Sequence, residues 1–399
     1  MPGGTEPPHR VNLLHVVPTY LPATRYGGPI YSVHALCAAL AKRGHATQVY
    51  TTNVDGPDVS DVPLGVPAGM DGVDITYFPT GIGRRLYRSP GMGAALCQNV
   101  ASFDILHLHS VFLWPTAAAA AAARRAGVPY VISPRGMLVS DLISRKSRHL
   151  KTAWINLVEH RNIANAAAVH VTSQIEAEEL CKLGLASNRI VVIPNGMDVP
   201  PVVPGAGQHS RDHDPNRPLV LSLGRISWKK GLDRLIRAMT LVPGAHLAIA
   251  GNDEEHYQPR LEALAREAGV AGRTHFVGAL HGHAKWDQIA SADVFALASY
   301  SENFGNAVLE AMAMGVPVIV TPQVGLASTV AETGSGLVVE GDPQQFGAAI
   351  ARLLADPGQR RAMGEAGRRA VAERFSWAAI AQSMETLYGE IATRTPLGV

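Results

Sequence analysis

Residues 221–231 read LSLGRISWKKG. An apolar run ends at a glycine, three basic side chains fill a short loop, and a second glycine closes it. Leu219–Leu223 has the continuous apolar character of a fully buried strand, and beyond Gly231 the residues Leu232, Leu235, Ile236 and Met239 recur at helical spacing. The stretch is therefore a strand, a tight loop and a helix. The same unit repeats downstream, with strands at 246–250, 275–277, 294–297 and 316–320 and helices between them. It also repeats upstream. Residues 11–17 (VNLLHVV) form a buried strand, and Ile30, Val33, Cys37 and Leu40 make a helical stripe stopped at Arg43-Gly44. Further strands are expected at 47–52, 75–78, 105–109, 130–133, 168–172 and 190–193. The alanines 117–123 behind Pro115 make a helix. Strands alternating with helices imply an α/β fold whose parallel sheets carry helices on both faces.

The alternation lapses after Asn195-Gly196. Residues 199–218 hold five prolines and two glycines without periodicity, which reads as a linker. The expected domains are 1–198 and 218–376, joined by 199–217, each a doubly wound sheet. The stretch 377–395 has Ile380, Met384, Leu387 and Ile391 near helical spacing; it either ends the second domain or packs back on the first. Open parallel sheets bind ligands at the carboxyl ends of their strands, so the loops after strands are where chemistry is expected.

Composition narrows the classes. The 399 residues are 47% hydrophobic and 17% charged, which supports sizeable cores and excludes a disordered chain. Thirty-five basic residues against 33 acidic ones leave a net charge of +2, so global charge does not favour nucleic acid. Cys37, Cys97 and Cys181 make neither a disulfide framework nor a metal knuckle, as expected in a reducing compartment. No apolar run approaches the roughly 20 residues needed to cross a bilayer, and no secretory signal is read at the start.

Two segments carry most of the chemistry. In the first, Arg225 and Lys230 can converge on one anionic group ahead of a helix whose first N–H groups also favour an anion. In the second, residues 301–315 read SENFGNAVLEAMAMG. Gly305 allows close backbone approach at the start of a helix. Glu302 stands before that helix, and Glu310 lies within it among apolar neighbours, where a carboxylate needs a cleft or a partner. A ribose diol is one such partner.

Gly224-Arg225, Lys230-Gly231, Glu302, Glu310 and the following GVPVI (315–319) together resemble glycosyltransferase family 4. The resemblance covers nearly the whole chain. It implies a GT-B architecture, two Rossmann-like domains facing a cleft, with the acceptor on the N-terminal domain and a nucleotide sugar on the C-terminal one. It further implies a retaining glycosyltransferase, a hexosyltransferase, moving a sugar from a GDP- or UDP-linked donor to a hydroxyl of a glycan or lipid-linked acceptor in surface polysaccharide or glycolipid synthesis. Arg225, Lys230, Glu302 and His109 are then the catalytic candidates. Gly27, Gly28, Phe304, Gly305, Asn306 and Glu310 are the donor-binding ones, with Phe304 also explicable as packing. His109, ending DILHLHS (104–110), is expected to face the reacting sugar. Arg135 in SPRGML (133–138) is expected to reach an anionic acceptor or the diphosphate. No cofactor beyond the donor is expected. No metal is expected either, the acidic GNDEEHY (251–257) being read as a loop beside the nucleotide. A basic amphipathic stretch, 144–161, is either a solvated helix face or a contact with anionic lipid; the expected location is cytoplasmic, at the inner membrane face if that contact forms. The competing classes are a nucleotide-sugar epimerase or hydrolase and a non-catalytic nucleotide- or carbohydrate-binding protein. A dehydrogenase is disfavoured because neither half has G-x-G-x-x-G between its first strand and helix.

Overall fold

The structure is a computed structural model and describes residues 10–23, 28–139, 152–185, 189–198, 217–253 and 255–394. Gly27, nearly all of the linker 199–217 and the segment 144–151 lie outside the described residues. The chain divides into two compact units, Met1–Gly196 with Trp377–Val399, and Met197–Ser376.

The first unit holds an eight-stranded sheet. Its strands are β1 (Asn12–Thr19), β2 (Ala46–Thr52), β3 (Pro67–Met70), β4 (Val73–Phe78), β5 (Ile105–His109), β6 (Tyr130–Ser133), β7 (Ala168–Val171) and β8 (Ile190–Val192). Their spatial order is β8-β7-β6-β5-β1-β2-β4-β3. All neighbours are parallel except the edge strand β3, which runs antiparallel to β4. That edge strand is absent from the sequence reading. Pro67 and Gly69 make its composition a turn rather than a strand, and pairing with β4 overrides the preference. The helices are α1 (Gly28–Lys42), α2 (Pro90–Asn99), α3 (Trp114–Ala126), α4 (His160–Ala164) and α5 (Gln174–Lys182). A π-helical turn, Ile155–Glu159, leads into α4. Helix α2 also went unread, although Ser89 caps it by accepting the Met92 amide and Pro90 opens it.

The second unit has six strands: β9 (Leu219–Leu223), β10 (His246–Ala250), β11 (Thr274–Gly278), β12 (Val294–Leu297), β13 (Val318–Val320) and β14 (Gly336–Val338). The order β11-β10-β9-β12-β13-β14 is parallel throughout. Within the unit this is 3-2-1-4-5-6, the Rossmann order, whose reversal beside the first strand marks the ligand edge. Helices α6 (Leu232–Ala238), α7 (Gln258–Glu267), α8 (Gly282–Ala290), α9 (Asn306–Ala313), α10 (Ala327–Thr333), α11 (Pro343–Ala355) and α12 (Pro357–Arg374) complete it. The strand interiors are buried on both faces, as their unbroken apolar runs require.

The last helix, α13 (Trp377–Arg394), belongs to the first unit. Ile380, Met384, Leu387, Tyr388 and Ile391 pack with Val11, Leu13, Leu36, Leu40 and Ile105 in one core. Burial of such side chains stabilises by roughly 2 kcal/mol each. Glu385 fastens the helix by accepting from Arg43 (2.5 Å) and bonding His45 (2.8 Å).

Candidate active site

In the second unit the loops after β9, β10 and β11 are stitched by their backbones. The Gly224 amide donates to Ala250 O (2.9 Å), Ile226 to Asn252 O (2.8 Å) and Gly251 to Gly278 O (2.8 Å). Gly251 is required by close approach: a Cβ there would lie 1.8 Å from the Gly224 carbonyl oxygen. These bonds fix the path of Gly224-Arg225 and leave Arg225 exposed. The chain then turns at Trp228–Lys230 and enters α6, and the Tyr300 amide ties back to Lys229 O at 2.8 Å.

Lys230 donates to Glu302 Oε2, and both side chains are about four-fifths buried, at 18% and 19% exposure. Sequence positions 72 residues apart thus form one ion pair. Glu302 is held by its own backbone: its amide donates to Gln323 O (3.0 Å) and its carbonyl accepts from Gly325 (2.9 Å). Gly305 follows with φ 101° and caps α9 without a side-chain bond. A Cβ on Gly305 would meet Val324 Cγ1 at 3.1 Å, so residues 302–305 lie tight against 323–326. Phe304 is 4% exposed and its ring packs in the apolar core, while its carbonyl accepts from the Leu326 amide at 3.0 Å. Asn306 opens α9.

Glu310 lies one turn into α9 and bonds a different lysine from Glu302. Its carboxylate bonds Lys285 on α8 at 3.0 Å. Burial pushes the Glu310 carboxyl above its ordinary range, and Lys285 opposes that rise. Lys285 also lies 4.4 Å from the Trp286 ring centroid. Sequence reasoning missed Lys285, since a lysine in HAKWDQ has the look of any solvated helix residue. Lys229 is half-buried; burial first and the Arg225 charge second lower its pKa, while Glu255 and Glu302 oppose that fall.

In the first unit, His109 ends β5 and is 1% exposed. It was expected to face the reacting sugar, but both its ring nitrogens meet protein groups. Nε2 lies 3.0 Å from His15 Nδ1, and Nδ1 lies 3.3 Å from Arg135 Nη2. Arg135 can only donate, so His109 Nδ1 accepts and the proton sits on Nε2. A second chain runs from Tyr388 Oη to His107 Nδ1 (2.8 Å), then His107 Nε2 to His170 Nδ1 (3.3 Å) and His170 Nε2 to Ile193 O (2.9 Å). Burial, and after it the Arg135 charge, pushes His15 and His170 down to about 3. His107 and His109 are also pushed well below the usual imidazole value, chiefly by burial. The shift favours the neutral form of all four rings.

Among the described residues, His15, His107 and His109 are the group close enough to share a metal ion. Three imidazoles are a possible zinc donor set, but the surroundings oppose a cation here. Arg135 bonds His109 from the other side, so a dication on the cluster would face a guanidinium charge at close range.

Two buried carboxylates hold the loops beyond β5 and β6. Glu159, in the π-helical turn, accepts from the Phe112 amide and Trp154 Nε1, both at 2.8 Å. Glu176 accepts from the Gly136 amide (2.5 Å) and the Thr172 amide (2.8 Å). Gly28 begins α1 on the same unit. Of the stretch 144–161, the described part is 152–161, where Leu157 is exposed at 78%. No helix among the described residues is long and apolar enough to cross a membrane.

With this geometry in place, likeness to known proteins is informative. Residues 27–196 match the family described as Glycosyl transferase 4-like domain, and residues 208–370 match Glycosyl transferases group 1. A D-inositol 3-phosphate glycosyltransferase from Xylanimonas cellulosilytica is 31% identical over 99% of this chain and 100% of its own. The sucrose-phosphate synthase structure from Thermosynechococcus elongatus superposes with a TM-score of 0.77 at 25% identity, over 96% of this chain and 100% of that one. The Anabaena HepE structure with UDP and glucose reaches 0.75 at 19% identity, over 96% and 100%, and shares the fold. The matched halves, the Rossmann order and the place of Lys230 and Glu302 at strand ends agree: this chain belongs to the family-4-like glycosyltransferases of GT-B architecture.

Proposed function

We propose that the protein is a retaining hexosyltransferase that moves a sugar from a GDP- or UDP-linked donor to a hydroxyl of a glycan or lipid-linked acceptor. The observation that carries this reading is the Lys230–Glu302 pair, set between loops that follow β9 and β12 and beside the left-handed Gly305. As the glycosidic bond breaks, negative charge grows on the departing diphosphate. Lys230 and Arg225 supply positive charge there before the reaction starts, which is electrostatic preorganisation and calls for no metal. Glu302 orients Lys230 and accepts hydroxyl hydrogen bonds from the sugar. Gly305 and Asn306 let backbone approach the donor, and Glu310 accepts from the ribose. Gly27 and Gly28 belong to the glycine-rich first loop of the reading.

Retention without a protein nucleophile fits a front-side reaction, in which a donor phosphate oxygen takes the acceptor proton. His109 then acts as a neutral anchor for Arg135 rather than touching the sugar. A role in surface polysaccharide or glycolipid assembly places the protein in the cytoplasm, at the inner membrane face where a lipid-linked acceptor lies. The name of the Xylanimonas relative, D-inositol 3-phosphate glycosyltransferase, supports a small phosphorylated acceptor as a further form of this reading.

The test is transfer from a panel of nucleotide sugars, with and without EDTA. Lys230→Ala should lower kcat by about 10²–10³-fold in a chain that still folds. Glu302→Ala should also act mainly on kcat, through lost positioning. Near-normal turnover in both folded variants, or activity abolished by EDTA and restored by Mg²⁺, would overturn the reading.

A further inference from the structure

We infer that Arg135, held by His109 and Asn195 beyond the carboxyl end of β6, is the seat for an anionic group of the acceptor, a phosphate or a carboxylate. The inference deepens the transferase reading and takes the word acceptor from it.

Arg135 is a partly exposed cation with no ion pair among the described residues. Its hydrogen-bond partners are neutral: Nη1 donates to Asn195 Oδ1 (2.9 Å) and Nη2 to His109 Nδ1 (3.3 Å). Its Nε is buried without a partner. The nearby carboxylate, Glu176, supports the Arg135 charge electrostatically without an ion pair to it, and its oxygens accept from the Gly136 and Thr172 amides and the Thr172 hydroxyl. The imidazoles of His15, His107, His109 and His170 lie in the same buried cluster and carry no compensating charge. A partly buried guanidinium whose direct hydrogen-bond partners are all neutral keeps donors that an anion can complete.

The neutral partners also do something specific. Asn195 and His109 each use one N–H of the guanidinium and fix its plane, and the remaining N–H groups stay disposed as a fork. A fork of that kind matches the paired oxygens of phosphate or carboxylate. His109 in turn passes its Nε2 proton toward His15 Nδ1, which leaves His15 Nε2 as a further buried donor without a partner. The first unit thus holds unsatisfied donors and an unpaired charge, while the cations assigned to the donor diphosphate lie on the second unit. Two separate anion seats are what a reaction between two anionic substrates needs.

The test separates the two seats. Inorganic phosphate and acetate are titrated calorimetrically, at constant ionic strength, into full-length Lys230→Ala, in which the donor seat is weakened. At least one of them should bind, and the Lys230→Ala/Arg135→Gln double variant should bind it at least about tenfold more weakly. No binding to Lys230→Ala, or equal binding to the double variant, overturns the inference. UDP and GDP are titrated into Arg135→Gln alone: unchanged affinity is expected, and loss of nucleotide binding would assign the cation to the donor instead. Failure of the donor reading shows separately, as nucleotide binding unaffected by Lys230→Ala. Should Arg135→Gln not fold, Arg135→Lys carries the test. It keeps the charge but loses the fork, so a folded Arg135→Lys that binds the anion as tightly as arginine overturns the inference.

Discussion

At Glu310 two forces oppose each other. Burial favours the protonated carboxyl, and Lys285 at 3.0 Å favours the charged one. The net shift is upward, so the sign for stability is that of a raised carboxyl. The folded state prefers the proton, and ionisation costs stability as pH rises through the folded pKa. Lys285→Met removes the opposing term. The variant should lose about 1–3 kcal/mol at pH 7, where a partly buried carboxylate is left unpaired, and less at pH 5. Donor recognition should follow the same titration. The donor KM should rise with kcat nearly unchanged, the acidic limb of kcat/KM should move to higher pH, and Lys285→Arg should restore both. A pH profile identical to that of the parent would show that Lys285 does not act through Glu310.

At the scale of elements, α13 is held by charge as well as by apolar packing. Burial alone would raise the Glu385 carboxyl, but the bonds from Arg43 and His45 outweigh it and the net shift is downward. A lowered carboxyl contributes stability that is present above its unfolded pKa and lost as pH falls through the folded one. Glu385→Gln should therefore cost about 1–3 kcal/mol at neutral pH, and its stability should converge with the parent's only as pH falls below the ordinary carboxyl range. Most strands and several helices were legible because buried parallel strands are continuous apolar runs, as in LVLSL and HLAIA. The edge strand Pro67–Met70 was not, because its order comes from pairing rather than composition. The same division holds at the site. Lys230 and Glu302 announce themselves by type and place. The neutral state of His109, the partners of Arg135 and the Lys285–Glu310 bond arise only when distant segments meet, and no local signal encodes them.

At the scale of the molecule, the second unit is one continuous segment, Met197–Ser376, with its own two cores. Expressed alone, it should unfold cooperatively. If it carries the donor seat, UDP or GDP at a hundredfold excess over Kd should stabilise it by about 2.7 kcal/mol. A fragment that folds yet gains no stability from any nucleoside diphosphate would place that seat elsewhere. The first unit is different, because its sheet precedes the second unit in the chain while α13 follows it. During synthesis the ribosome delivers Leu13, Leu36, Leu40 and Ile105 long before Ile380, Met384 and Leu387, which cover them. The nascent first unit therefore waits with an apolar face open for the whole time that residues 197–376 are made. Domains usually mature in the order they emerge; here the later-emerging unit can finish first, and the half with the histidine cluster is sealed only when the last helix leaves the exit tunnel.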